Sequence, residues 1–208
     1  MKSFRIFVDM DKEEQYLNNM AKSGFIMKNY SLLGIYTFIK AEPKDSQYRI
    51  DYRVFKNKVE FGQYKTLFED AGWEHVSGTS YSGAQYFLPK LSNMEFPDIF
   101  SDAESKSTRY KRFIKQCISG FACALIYMFI MFSEYGFKFN NFGYLTPGLW
   151  DKKGLNFWFA FAFETPFAIL RILPLIVFMI YAILSLDFSF KARKLYKESL
   201  RDTSNSRL

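Results

Sequence analysis

Two long apolar runs constrain this chain more than any other feature. From Phe113 to Phe132 it reads FIKQCISGFACALIYMFIMF, with Lys115 as its single charge. At 1.5 Å per residue such a run spans roughly 30 Å, the thickness of a bilayer's hydrocarbon core, and predicts a transmembrane helix. The second run extends from Leu155 to Leu186. As one unbroken helix it would reach roughly 48 Å, too long for an upright span, so Pro166 and Pro174 are expected to divide it. Glu164 and Arg171 then place LNFWFAFAFE at the interface, with Trp158 in an aromatic belt, and leave a span from 166 to 188. Soluble core helices seldom stay apolar on every face for this length, which argues against two buried helices of a soluble core.

The flanks predict orientation. Lys106, Arg109, Lys111, Arg112 and Lys115 precede the first span, and Lys191, Arg193, Lys194, Lys197 and Arg201 follow the second. The connecting stretch holds only Lys138, Lys152 and Lys153, against Glu134, Asp151 and Glu164. By the positive-inside rule both termini are expected in the cytoplasm, with Lys111, Arg112, Lys191, Arg193 and Lys194 anchoring the chain to the lipid surface. The opening segment MKSFRIFVDMDKEEQ meets acidic residues too soon for a signal peptide's apolar core. The formal net charge of +7 lies wholly in this second half, because residues 1 to 100 carry thirteen basic and thirteen acidic side chains. Topology thus accounts for the basic excess, and no nucleic-acid binding is expected. The two cysteines, Cys117 and Cys123, sit within the first apolar run and form no disulfide framework.

The first hundred residues match themselves at a shift of 48. Phe4-Arg5-Ile6-Phe7 falls on Tyr52-Arg53-Val54-Phe55, Gln15-Tyr16 on Gln63-Tyr64, and Ser23-Gly24-Phe25 on Ala71-Gly72-Trp73. A shift of 50 sets Tyr36-Thr37-Phe38 on Tyr86-Phe87-Leu88. Each copy reads as a strand, an amphipathic helix ending at a glycine, and two further strands around Gly34 or Gly83. The expected fold is α+β: internally duplicated β-α-β-β units forming an antiparallel sheet with helices on one face, followed by a two-helix transmembrane hairpin. The expected organisation is a cytosolic domain over 1–92, a polar to basic linker over 93–112, spans over 113–132 and 166–188 joined by an external loop over 133–165, and a basic cytosolic tail over 189–208.

Four separated strings carry a resemblance. Glu13, Tyr16, Leu17, Met20, Ala21, Gly24 and Phe25 form one; Tyr48 to Tyr52, reading YRIDY, the second; Phe68 to Glu74, reading FEDAGWE, the third; and Phe100, Ser101, Asp102, Ser105 and Lys106 the fourth. Together they resemble domain-of-unknown-function family 2812 over about residues 1 to 110. Phe25 departs from the tryptophan commoner in that family, and both fill an apolar slot. The resemblance implies a bacterial protein with a pair of spans after the domain, often encoded beside a PadR-like transcriptional repressor. It implies no active site.

Nor do the residues suggest one. The single histidine, His75, has no cysteine or second histidine near it for a metal, and Gly62, Gly72, Gly78 and Gly83 fit no phosphate-binding loop. No enzyme activity, metal or cofactor is expected. Asp51, Tyr52, Trp73 and His75 are the candidates for contact with a protein partner, provided that the sheet's aromatics (Tyr30, Tyr36, Tyr48, Tyr52, Tyr81, Tyr86) face solvent; as core or cross-strand residues they would not serve. Arg49 and Arg53 alternate with Asp51 and suggest cross-strand charge pairing. Glu164 and Arg171 share a helical face and either snorkel to headgroups or pair within the membrane. The expected function is that of a membrane-anchored regulatory or interaction protein, with a PadR-like repressor the partner implied by the resemblance. An accessory subunit of a membrane transporter is the alternative, and a homo-oligomer is compatible with either.

Overall fold

The computed structural model describes residues 1–31, 34–90, 98–135 and 143–205. The first of the linker's residues, part of the connecting stretch including Lys138, and the extreme C-terminus lie outside the described residues. In chain order the elements are β1 (Lys2–Phe4), α1 (Met10–Lys22), β2 (Phe25–Ser31), β3 (Ile35–Lys40), β4 (Arg49–Arg53), α2 (Lys58–Asp70), β5 (Trp73–Ser77), β6 (Gly83–Pro89), α3 (Ala103–Tyr135) and α4 (Leu155–Asn205).

The helix boundaries follow from local chemistry. Asp9 caps α1 by accepting from the backbone N–H of Asp11 and Lys12, and Asn57 caps α2 by accepting from Glu60 N. The Glu60 carboxylate in turn accepts from the Lys56 N–H, a capping box reaching one residue further out than usual. Both helices stop one residue before a cap that leads into a glycine, Gly24 or Gly72, whose positive φ of 80° or 86° only glycine holds without strain.

The strands pair as two antiparallel sheets, β1-β3-β2 and β4-β6-β5, where the sequence suggested one. Register confirms the duplication and corrects one part of it. Ser3 pairs with Tyr36 and Asp51 with Gln85, so the third strands correspond at a shift of 49, which also sets Gly34 on Gly83. Both copies carry a bulge at the same place, between Met27 and Asn29 and between His75 and Ser77. Strands β2 and β5 lie side by side at these bulges, where Ser77 Oγ accepts from Tyr30 N at 3.0 Å.

Helices do not share one face. Tyr86 and Phe87 are adjacent in β6 and so point to opposite sides of the second sheet. Tyr86 enters a core with Leu17 and Ala21 of α1, Met27, Tyr36, Phe38, Tyr48, Ile50 and Tyr110. Phe87 enters a separate core with Phe55, Tyr64 and Trp73, under α2. The second sheet is thus covered on both faces.

The apolar runs lie in α3 and α4, both long and apolar enough to cross a membrane. The chain divides into two units, Met1–Lys115 with Phe188–Leu208, and Gln116–Asp187. Helix α3 begins at Ala103, so the residues read as the end of the linker are its first turns. Helix α4 continues through Pro166 and Pro174, where the sequence suggested a division. Proline's φ already suits a helix; each ring removes one backbone donor, a loss that membrane helices accommodate. In the unit 116–187, Tyr127 stacks on Phe178 with ring centroids 4.0 Å apart, and Gly120 receives the Tyr181 side chain.

Candidate functional site: a buried ionic clamp on α1 and β4

The first turns of α3 supply three cations at three-residue spacing, Lys106, Arg109 and Arg112, on a face that also carries Tyr110 and Phe113. Asp102 starts this helix by accepting from Ser105 N at 2.6 Å, which holds its carboxyl below the usual range. Arg109 is wholly buried. Its Nη1 donates to Glu14 Oε1 at 2.8 Å and to the Ile50 carbonyl at 2.9 Å, while Nη2 lies 2.9 Å from Asp11 Oδ1. Its guanidinium carbon lies 5.5 Å from the ring centre of Phe100 and 5.2 Å from that of Tyr110. Lys106 adds an ion pair to Asp11 at 3.0 Å. Burial alone would raise Asp11, and the attraction of Arg109 and Lys106 outweighs it and lowers its carboxyl. For Glu14 burial wins and the carboxyl is raised despite Arg109.

These contacts fall on the outer edge of β4. Ile50 N donates to Glu14 Oε1 at 3.0 Å, Tyr48 N to Asn18 Oδ1 at 2.7 Å, and the Ile50 and Tyr52 carbonyls accept from Arg109 and Arg112. Side chains of α1 and α3 therefore do for β4 what a neighbouring strand would do, satisfying an edge that would otherwise be open.

One residue deeper, Glu13 joins the two copies. Its Oε1 accepts from the Tyr36 hydroxyl at 2.5 Å and the Tyr86 hydroxyl at 2.6 Å, one from each sheet. Burial pushes its carboxyl up to about 7, against the pull of the two hydroxyls.

The residues singled out in the sequence fall unevenly around this clamp. Asp51 is buried and accepts from Tyr64 at 2.9 Å and Arg112 at 2.9 Å, so it is an interior ion pair and not a partner contact. Its cation comes from α3, not from Arg49 or Arg53: Arg49 pairs with Asp98 and Glu14, and Arg53 with Glu60. Trp73 is buried in the core under α2, which likewise removes it as a surface contact. Tyr52 is half-buried, edge-on to Phe113 at 5.0 Å. His75 is half-buried with Nε2 2.9 Å from Gln85 Oε1, and burial lowers its pKa, favouring the neutral ring. The Gln85 amide nitrogen already donates to Thr79 O at 2.7 Å, so its oxygen faces the ring and His75 Nε2 carries the proton. Tyr36, Tyr48 and Tyr86 are core residues and Tyr81 is exposed, so the sheet presents no row of solvent-facing tyrosines.

Arg112 serves Asp51, while Lys111, Lys191, Arg193 and Lys194 are exposed. The segment 188–201 is helical, and its Leu195 and Tyr196 pack against the α1 core. Glu164 and Arg171 are brought together at 3.3 Å. Glu164 also accepts from the backbone N–H of Leu145 and Thr146, and Arg171 donates to Gly143 O at 2.8 Å. The pair fastens the loop before α4.

Among the described residues no group of acidic, histidine and cysteine side chains is placed to hold a metal. The residues that sequence reasoning missed are Glu13, Glu14 and Arg109; the spacing of the three α3 cations was the available signal. Three of the four resembling strings meet here: Glu13 from the first, Tyr48 to Tyr52 from the second, and Phe100, Asp102 and Lys106 from the fourth. The family model described as protein of unknown function (DUF2812) matches residues 9–122. The chain belongs to this family. The DUF2812 match thus runs from the cap of α1 through the clamp and into the first apolar run, leaving β1 and α4 outside it. No curated protein and no solved structure matches the chain.

Proposed function

We propose that this protein is a membrane-anchored, non-enzymatic regulator whose N-terminal domain lies in the cytoplasm and binds a protein partner, with both termini inside. The observation that carries this reading is the clamp. Arg109 and Arg112, at the foot of an apolar helix, are built into the interior of the domain, so a shift of that helix acts directly on Glu14, Asp51 and the β4 edge. The exposed cations Lys111, Lys191, Arg193 and Lys194 suit the inner, anionic face of a membrane. A PadR-like repressor is the first partner to test, by family resemblance. The transporter-subunit reading has less support, because Glu164 and Arg171 are engaged with the loop at 143–146 and do not form a free polar face.

The test is in-cell crosslinking of the full-length, C-terminally tagged chain, with mass spectrometry of the captured peptides. Truncation before α3 is unsuitable, since it would remove Arg109 from the core. Crosslinks between residues 1–90 and a DNA-binding regulator are expected. Crosslinks confined to residues 143–187 and transporter subunits, or turnover of a substrate by the purified chain, would overturn the proposal.

A further inference from the structure

The duplication makes β1 and β4 counterparts, and their outer edges are treated differently. Met1 and Phe38 exchange both hydrogen bonds of a pair at 2.8 Å, and Arg5 N donates to Gly34 O at 2.9 Å. Ladder alternation then turns the N–H and C=O of Lys2 and Phe4 away from β3, towards the outside of the sheet. At a shift of 48 their counterparts are Ile50 and Tyr52, whose outward groups the clamp satisfies. Strand β1 is the end strand of its sheet. Beside this edge Phe4 is 67% and Ile6 56% exposed, so two apolar side chains stand next to backbone groups that face outwards. Its odd-numbered neighbours are occupied: Ser3 and Arg5 both engage Tyr16 of α1.

We propose that the outer edge of β1 receives an extended acidic segment of a protein partner, added as a fourth strand to the first sheet. This rests on the partner-binding reading and names its surface. Main-chain bonding to Lys2 and Phe4 supplies the pairing, and alternate apolar side chains of the added strand lie against Phe4 and Ile6. Charge selects the partner. Residues 1–7 carry Lys2 and Arg5 and no acidic residue, and the neighbouring β3 adds Lys40 and no acidic residue. A second copy pairing through the same edge would set Lys2 and Arg5 against like charges. A lipid surface would leave the Lys2 and Phe4 backbone groups without donors or acceptors to meet.

The experiment uses the full chain in detergent and two short peptides, one alternating glutamate with valine and one alternating lysine with valine. Saturable binding of the acidic peptide is expected, with slowed hydrogen exchange at the Lys2 and Phe4 amides. Phe4→Pro removes an outward N–H together with the exposed ring, both on the proposed surface, and leaves the β3 ladder intact, so it should weaken binding by about tenfold or more without lowering the melting temperature of the domain. Lys2→Glu, which keeps the backbone donor, should weaken it in the same direction and guards against a folding defect in the proline variant. Equal binding of the basic peptide, full binding by both variants, or no binding of the acidic peptide would overturn the inference. So would protection of the same amides by phosphatidylserine vesicles in place of the peptide, or by dimerisation alone. If crosslinking still captures a regulator through residues 1–90 while the peptide fails, only this edge is wrong and the proposed function stands.

Discussion

Asp51 and Arg112, which the sequence assigned to a partner surface and a lipid anchor respectively, form one ion pair at 2.9 Å, and the Tyr64 hydroxyl completes the carboxylate's shell. In the other copy the equivalent helix tyrosine, Tyr16, donates to Ser3 at 3.1 Å, so the second copy has put a charge where the first has a hydroxyl. That charge exists to meet α3. Arg112→Ala is expected to destabilise the domain by about 1–2 kcal/mol, the low end for a charged hydrogen bond because the guanidinium is partly solvated. Asp51→Ala should cost more, since it also orphans Tyr64. Chemical denaturation of the detergent-solubilised chain would read both, and equal costs would refute the shared shell.

Arg109 makes a harsher test. Arg109→Ala leaves the buried Glu14 carboxylate without its cation and the Ile50 carbonyl without its donor, a loss on the order of 3–5 kcal/mol. Adding Glu14→Gln to Arg109→Met removes the stranded charge, while the amide oxygen then at position 14 can still accept from Ile50 N. The double variant should therefore recover at least half of the stability lost by Arg109→Met alone. Additive losses in that cycle would mean that the two side chains do not act as a pair.

These contacts explain which parts of the molecule were legible in the sequence. The duplication was readable because Gly24 and Gly72, with the aromatic that follows each, fulfil a local backbone demand that leaves a mark at fixed spacing. The apolar runs were readable by length. The division of the strands into two sheets was not, because it turns on Tyr86 and Phe87 facing different helices, and alternation alone does not say which helix meets which face. Nor was the clamp, since Arg109 and Glu14 are 95 residues apart and each, taken alone, reads as an ordinary solvated charge. Proline-based division of α4 failed for the converse reason: a local rule was applied where the surroundings tolerate the missing donor.

The loop anchor and the topology can be probed together. Glu164→Ala frees the backbone N–H groups of Leu145 and Thr146 and unpairs Arg171, so a cysteine placed at Thr146 should react with maleimide several-fold faster in that background. In intact cells a cysteine at Lys152 is expected to react with a membrane-impermeant reagent, whereas one at Lys194 should react only after permeabilisation. The reverse pattern would invert the proposed orientation.

Burial of Glu13 makes its own contribution to stability fall as pH rises. Its carboxyl rises from an ordinary 4.5 to about 7 because it is buried between the sheets, where Tyr36 and Tyr86 only partly offset the lost solvation. Between those two values the folded chain keeps a proton that the unfolded chain has released, so the stability that Glu13 contributes is greatest below about pH 4.5 and falls as pH rises towards 7. A shift of this size corresponds to roughly 3 kcal/mol at full effect. Glu13→Gln keeps an oxygen for both tyrosines and cannot ionise. Other groups add their own dependence: His75 is lowered and gives stability that is lost as pH falls, while Glu14 is raised and acts in the same sense as Glu13. They are common to both chains and cancel in the difference, apart from the repulsion between Glu13 and Glu14 that the variant removes. The variant is therefore expected to be no more stable than the parent at pH 4.5 and more stable by up to about 3 kcal/mol at pH 8, the gap opening between those limits. Unfolding followed by the fluorescence of Trp73, with Trp150 and Trp158 replaced by Phe, isolates the domain from the apolar helices. Parallel pH curves for parent and variant would show that Glu13 does not titrate between the sheets.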